Sequence, residues 1–372
     1  MVAENENLYF IVKKKDDAPL QHINGFNKNI ITSTVDGEVF ESLKNKLNEF
    51  DAIVLHNLIS PYKLKILEGA SSNIHFHWMS WGGDLYIHPK LKSKIYHHSS
   101  KKIIAKRQNA NGIIGEFMER FFPYLWDSLY LKKRKIIGHH QYHSLIQKIT
   151  SISTVLPNEM PLINRYYGKK MRYLPYKYIM FEHCSKDNDI CDGNNFLIGN
   201  SATASNNHLE AFNYLNGIEK NICKIIVPLS YGEPGYAEVV IKRGNMMFGN
   251  KFKPLTDFIP LKDYSQMMKS CGNVVMNHYR QQAMGNILVA LWKGARVYLN
   301  RKNLAWQFFE EHNIRVFEVS DIKNYASLPN HQTLANHNRP ILEKLYGAKQ
   351  VLKETKELVD YLTKTKSHET SM

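Results

Sequence analysis

The sequence predicts an α/β protein of two Rossmann-like domains, each a parallel sheet with crossover helices, followed by a helical tail. Three observations lead there. Short apolar runs fit for buried strands alternate with segments of helical spacing through most of the 372 residues. The stretch "CSKDNDICDGNN" (184–195) is polar and rich in Asn, Asp and Gly, as a linker between two such units would be. After Ser320 the strand signals cease, and "ILEKLYGAKQVLKETKELVDYLTK" (341–364) reads as a terminal helix pair. Residues 1–185 are therefore assigned to the first domain, 186–335 to the second and 336–372 to the C-terminal helices.

In chain order, "NLYFIVKK" reads as a strand and "VFESLKNKLNEF" (39–50) as a helix. "DAIVLHNL" (51–58) is a buried strand, and "SPYKLKILEGA" (60–70) a helix started by Ser-Pro. "NIHFHWMSWGGDLY" (73–86) is a strand ending in a glycine loop, followed by a helix-rich basic region to about Gly138. "ITSISTVLPNEM" (149–160) is a strand with its exit loop. From Asn195 the rhythm restarts: strand "FLIGN", helix "SNNHLEAFNYLNG", strand "KIIVPLSYG", helix "YAEVVIKRGNMM". "FIPLKDYSQMMKSCG" (258–272) reads as a short strand then a helix, and "NVVMN" as a strand. "NILVALW" is helical, "RVYLN" a strand, "LAWQFFEEHN" a helix and "IRVFEVSD" (314–321) the last strand. The opening strand arrives so early that the first domain is expected to lack its first strand.

Composition narrows the function classes. A chain that is 43% hydrophobic over 372 residues can build two cores. No apolar run approaches the roughly 18 residues of a membrane span, and the start does not read as a signal peptide. The four cysteines are in no metal-like spacing and are expected as reduced thiols in a cytoplasmic protein. The net charge of +15 is uneven: between Lys90 and Lys135, twelve Lys/Arg against three Asp/Glu leave +9. These charges are interleaved with "IIGEFMERFFPYLWDSLYL", a combination that suits an anionic membrane surface, with Lys132, Lys133, Arg134 and Lys135 as its basic edge. A nucleic-acid partner is the competing reading of the same charge.

Candidate chemistry gathers at predicted strand exits, where open parallel sheets bind ligands. "IGNSATASNNHLEAF" (198–212) brings together Asn200, Ser201, Asn206, Asn207 and His208, with Ser205 or Asn206 expected to cap the helix that carries Glu210. "NHYRQQAMGN" (277–286) brings together Asn277, Arg280, Gln281, Gln282, Gly285 and Asn286. Arg280 can hold a diphosphate with a bidentate fork, and Gly285 lets backbone approach an anion at a helix start. "VPLSYGEPGYAE" is a weaker exit, better read as a turn, with Tyr231 and Glu238 as further contacts. In the first domain, Trp81, Gly82, Gly83 and Tyr86 surround Asp84, whose carboxylate is a candidate base. His75 and His77 share one strand face and are next in line. The GxGxxG fingerprint with its acidic partner and the Walker lysine are missing, which excludes dinucleotide redox enzymes and P-loop NTPases. No metal-ligand spacing appears, so no metal is expected.

Four stretches, "HWMSWGGDLY", "LIGNSATASNNH", "IIVPLSYG" and "MNHYRQQAMGNILVALWKGARVYLNRKNLAWQ", together resemble glycosyltransferase family 56. The likeness extends from about residue 8 to 320. It implies a GT-B fold, with the two sheets facing a central cleft and the nucleotide sugar held mainly by the second domain. The family is similar to 4-alpha-L-fucosyltransferases and transfers Fuc4NAc from its TDP-linked form to a polyprenyl-diphosphate-linked glycan. The resemblance implies a peripheral enzyme at the cytoplasmic face of the bacterial inner membrane. It also implies that the polar residues at 200–208 and 277–286 hold the donor, that 81–86 face the acceptor, and that charge on the leaving group is met without a divalent metal. A non-catalytic homologue and a basic nucleic-acid-binding protein are the alternatives.

Overall fold

The computed structural model describes residues 8–13, 30–34, 38–58, 66–67, 70, 74–86, 88–92, 94–108, 122, 125, 145–178, 188–218 and 222–364. Lys132, Lys133, Arg134 and Lys135, and most of the helix expected over 60–70, lie outside them.

Among the described residues two larger parallel sheets form. The first runs β3 (Ala52–His56), β4 (His75–Met79), β5 (Ser151–Ser153), β6 (Arg172–Tyr173), in that spatial order. Helix α1 (Glu38–Asn45) precedes it, α2 (His98–Gln108) follows β4, and α3 (Met160–Tyr167) joins β5 to β6. Phe76, Trp78 and Ile152 are buried in its core with Phe40, Ile146, Ile163 and Tyr167. The opening strand β1 (Tyr9–Lys13) does not join this sheet. It pairs in parallel with β2 (Ile30–Thr34), a strand the sequence pattern did not reveal.

The second sheet contains β7 (Phe196–Ile198), β8 (Ile225–Pro228), β9 (Phe252–Leu255), β10 (Asn273–Met276), β11 (Arg296–Leu299) and β12 (Phe317–Glu318). Its central strands are apolar and buried on both faces, as parallel strands sandwiched by helices must be. The covering helices are α4 (His208–Tyr214), α5 (Pro234–Phe248), α6 (Leu261–Lys269), α7 (Met284–Trp292) and α8 (Leu304–Glu311). The spatial order is β12-β11-β10-β7-β8-β9. The first strand of the domain, β7, lies beside the fourth, β10, so chain direction across the sheet reverses between them and the exit loops diverge. That crevice is where such sheets bind ligands.

Two expected strands moved. The one expected at the start of 258–272 is β9, several residues earlier at Phe252–Leu255, and it includes Pro254. β9 is an edge strand paired only with β8, so the missing proline N–H costs no ladder bond. The strand expected over 314–321 shrinks to β12 at the opposite edge, because the chain turns into a 3-10 segment at Val319–Ser327.

The C-terminal pair is α9 (His331–Tyr346) and α10 (Ala348–Lys364). Asn330 caps α9 by accepting from Thr333 N at 2.8 Å. Asn338 ties α9 to the second domain by accepting from Arg315 N at 2.8 Å. Helix α10 crosses to the first domain, where Leu358 and Leu362 pack with Met79 and Leu174. Lys177, just beyond β6, pairs with Glu354 of α10 at 3.6 Å. The tail is thus a strap that touches both sheets.

Candidate functional site

The exits of β7 and β10 interlock. At Gly199 the backbone turns with φ +68°, and a Cβ there would stand 2.5 Å from His208 Nε2 and 2.7 Å from Asn206 Oδ1. Only glycine fits this approach. Asn206 is the hub. Its Oδ1 accepts from Asn200 N at 2.9 Å and from His278 Nε2 at 2.7 Å, while its Nδ2 donates to Thr203 Oγ1 at 2.8 Å and Ser201 O at 3.0 Å. Ser205 Oγ donates to Gln282 Oε1 at 2.7 Å, and Gln282 Nε2 donates to Asn200 Oδ1 at 2.9 Å. Asn200 Nδ2 in turn donates to the Tyr231 hydroxyl at 2.6 Å. Neither Ser205 nor Asn206 caps α4, contrary to the sequence expectation. The N-cap is Asn207 in the left-handed region at φ 51°, without a side-chain cap bond. Both side chains were claimed by the neighbouring exit loop, a demand that local spacing cannot show.

Asn207 joins the domains. Its Nδ2 donates to Asn277 O at 3.0 Å, and its Oδ1 accepts from His97 N at 2.9 Å. Asn277 Oδ1 accepts from Asn300 Nδ2 at 3.1 Å. Glu210 adds a second tie: its Oε1 faces His97 Nδ1 at 2.8 Å and its Oε2 accepts from Ser100 Oγ at 3.2 Å. The ends of the first domain's α2 and the second domain's α4 are held together by these bonds.

Several polar atoms in this region are buried and have no partner among the described residues: His208 Nε2, His278 Nδ1, Gln281 Oε1 and Glu159 Oε1. Natural proteins leave few such groups, and each one asks for a reason. Burial holds the His208 imidazole near a pKa of about 3 and His278 well below its ordinary value, so both rings are neutral. Because Asn206 Oδ1 accepts from His278 Nε2, the orphaned Nδ1 carries a lone pair.

Arg280 stands where the two domains meet. Its Nη1 donates to the Gln281 carbonyl at 2.9 Å, and its guanidinium lies 5.8 Å from the centre of the Tyr86 ring. Among the described residues it forms no ion pair. Burial lowers its basicity, and Tyr86, Tyr96, Glu159 and Asp84 counter that by their charges. The neighbouring helix α7 starts from Ala283 at φ 58° with no side-chain cap bond, and helix geometry leaves its first amides, those of Gly285 and Asn286 among them, without intrahelical acceptors. The Asn286 side chain itself turns away to the Tyr264 hydroxyl.

In the first domain, Gly82 has φ +82°, and a Cβ there would stand 2.2 Å from Gln281 Oε1. Glycine at this place lets the 80–86 loop touch the 277–286 loop of the other domain. Tyr86 is buried beside it, Gly83 is partly buried, and Trp81 is 46% exposed.

Asp84 does not offer the free carboxylate oxygen that the sequence suggested. It is fully buried, and it accepts from Trp78 Nε1 at 2.6 Å, Ser80 Oγ and Trp81 N at 3.0 Å, and Leu58 N and Leu85 N at 3.2 Å. Burial raises its pKa and these bonds pull it back. It organises the loop. His77 is likewise held between Ser151 Oγ at 2.8 Å and Ser153 Oγ at 2.9 Å, with its pKa depressed to about 3 by burial. His75 shares Ser151 Oγ at 2.9 Å. Asp84→Ala should therefore act on stability, by on the order of 3 kcal/mol, since two or more buried donors lose their acceptor. Urea unfolding checks this, and a loss below about 1 kcal/mol would contradict the loop-organising role.

Glu159, in the exit of β5, is the residue that the sequence reading passed over. It is fully buried, its Oε2 accepts from Leu156 N at 3.1 Å, and its Oε1 is orphaned. Burial raises its pKa to about 8, helped by the Asp84 charge and opposed by Arg280. The available signal was an acidic residue in the otherwise apolar exit "TVLPNEM".

Among the described residues, no group of three His, Cys, Asp or Glu gathers as metal ligands, and no helix is long and apolar enough to cross a membrane. Residues 163–340 match the family described as "4-alpha-L-fucosyltransferase glycosyl transferase group 56". The chain is similar to a sucrose-phosphate synthase from Thermosynechococcus elongatus, at 10% identity and TM-score 0.60 over 95% of this chain and 88% of that one. It is similar to a glycosyltransferase from Rickettsia africae at 10% identity and TM-score 0.55, over 96% and 99% of the two chains. The N-terminal domain of Candida albicans trehalose-6-phosphate phosphatase is similar at 12% identity and TM-score 0.55, over 91% of this chain and 84% of that one. At such identities the likeness to solved structures speaks for the fold alone. The family match adds the chemistry: residues 163–340, just under half of the chain, resemble the glycosyltransferases of group 56, on a chain built with the GT-B fold.

Proposed function

We propose that this protein transfers a deoxy or acetamido sugar, such as Fuc4NAc or fucose, from a TDP-linked or other nucleotide-diphosphate donor to a polyprenyl-diphosphate-linked glycan. The observation that carries the donor half is Arg280: a partly buried guanidinium bonded to a carbonyl and a ring face, next to the uncapped start of α7. Such a charge favours an anion, and a diphosphate would meet both Arg280 and the helix amides. In the reaction the acceptor hydroxyl oxygen bonds to the anomeric carbon. The bond from that carbon to the diphosphate oxygen breaks, and the hydroxyl proton passes to a base. The leaving diphosphate's charge falls on Arg280 and the α7 amides, with no divalent metal required. Glu159 is the carboxyl assigned to the proton: its pKa of about 8 and its unpartnered oxygen suit proton transfer near neutrality. Calorimetry with TDP, UDP and GDP in EDTA tests the donor half. Binding of none of them would sink it.

The acceptor half places the protein peripherally on the cytoplasmic face of the bacterial inner membrane. The +9 segment between Lys90 and Lys135 supports this, since each Lys or Arg near an anionic leaflet contributes about 1 kcal/mol. The protein is expected to sediment with anionic liposomes, less so in high salt, and little with neutral ones. Reversing Lys132, Lys133, Arg134 and Lys135 to Glu should release it while nucleotide affinity stays unchanged. Equal sedimentation of the two proteins would remove this segment from the membrane face.

A further inference from the structure

We infer that Trp81, Tyr178 and His56 form a stacking platform for a pyranose ring of the acceptor glycan. The inference rests on the glycosyl-transfer reading above and adds the substrate chemistry of its acceptor side. Trp81 and Tyr178 are 46% and 41% exposed, large values for aromatic residues of this size. Their rings stack, with centroids 5.1 Å apart and planes 28° from parallel. The His56 ring stands 6.1 Å from that of Trp81, tilted 57° to it. Three separate segments supply them: the last residue of β3, the loop after β4, and the chain leaving β6 toward the second domain.

The location gives the occupant. His56 and Trp81 stand at the carboxyl ends of neighbouring first-domain strands, where parallel sheets receive ligands. Trp81 directly precedes Gly82, the residue in contact with Gln281 of the donor-side loop. A group resting on Trp81 is therefore held one residue from the contact with the loop that carries Arg280. The loop is also pre-set, because Asp84 accepts from the Trp81 backbone amide at 3.0 Å and from four further donors. Holding a large apolar side chain out in water is costly unless something covers it in use.

A pyranose ring has one face of C–H groups and a rim of hydroxyls. Its C–H face would lie on the outward ring face of the stacked pair, with its hydroxyls reaching the imidazole of His56 and water. An isoprenoid chain would instead want a long apolar groove, whereas the stacked pair offers a single outer ring face with a polar edge.

The test uses saturation-transfer NMR with methyl pyranosides of glucose, galactose, mannose and their 2-acetamido forms, alongside farnesyl phosphate. The full chain is compared with Trp81→Ala, Trp81→Phe and Tyr178→Ala. The expected result is transfer to ring C–H protons of at least one pyranoside, at least five-fold weaker in Trp81→Ala and kept in Trp81→Phe. TDP or UDP affinity should change by less than about two-fold in every variant, which also reports that each is folded. Undiminished transfer in Trp81→Ala overturns the platform. So does a complete lack of pyranoside signal in the unaltered protein, or a Trp81-dependent signal from farnesyl phosphate alone. If nucleoside diphosphates also fail to bind the unaltered protein, the donor reading has failed; if they bind normally, only the platform has.

Discussion

Glu159→Gln is expected to cut turnover by roughly 10²–10⁴-fold, the usual loss when general-base help is removed, while leaving nucleotide binding intact. The amide has nearly the shape of the protonated acid but cannot take a proton. The pH dependence makes the test specific. A base must be ionised to work, so kcat/KM of the unaltered enzyme should climb as pH rises toward and through about 8, the pKa to which burial lifts this carboxyl. Stability should move the opposite way. The folded state holds the proton up to about pH 8, whereas the unfolded chain releases it near the ordinary value of 4.5. Between those values the folded state binds more protons, so the contribution of Glu159 to stability is present below pH 4.5 and lost as pH rises through 8. The Gln variant escapes this loss. It should melt close to the unaltered protein at pH 5 and above it at pH 9. Normal turnover with an unchanged pH profile would return Glu159 to a purely structural role.

Arg280→Ala should weaken nucleoside-diphosphate affinity by ~30-fold to ~5,000-fold, the 2–5 kcal/mol typical when one partner of a desolvated charge pair is removed. The fold should tolerate the change. Among the described residues Arg280 makes one hydrogen bond, to the carbonyl of its own neighbour, and one contact with a ring face. Its removal leaves no buried carboxylate stripped of an ion pair. Calorimetry on the variant reads the loss, and thermal melting reads the fold. A Kd within three-fold of the unaltered protein, with an intact melt, would move the diphosphate away from the α7 start. Arg280→Lys should recover only part of the affinity, because an ammonium keeps the charge and loses the fork.

What the sequence by itself determined was the kind of most elements and the strand exits at which polar side chains gather. Runs such as "IIVPL" and "VVM", apolar on every position, are strands covered on both faces, and their alternation with helical spacing admits a parallel sheet. The Asn, Gln and Arg crowded at 200–208 and 277–286 had no use as plain connectors, and they stand at adjacent strand exits in the folded chain. These features are local, because strand and helix type follow from periodicity within a dozen residues. Tertiary structure decided the rest. Strand order put β7 beside β10 and so made one crevice of two distant loops. Position at a sheet edge allowed Pro254 inside β9. Asp84 reads as a free carboxylate in "SWGGDLY" until Leu58, Trp78 and Ser80 fold over it and use both oxygens. Glu159 is unremarked in "LPNEM" until burial near Arg280, far along the chain, leaves one of its oxygens unmatched. Whether a polar atom is saturated or left over depends on desolvation and on partners from remote segments, and neither is written into the residues beside it.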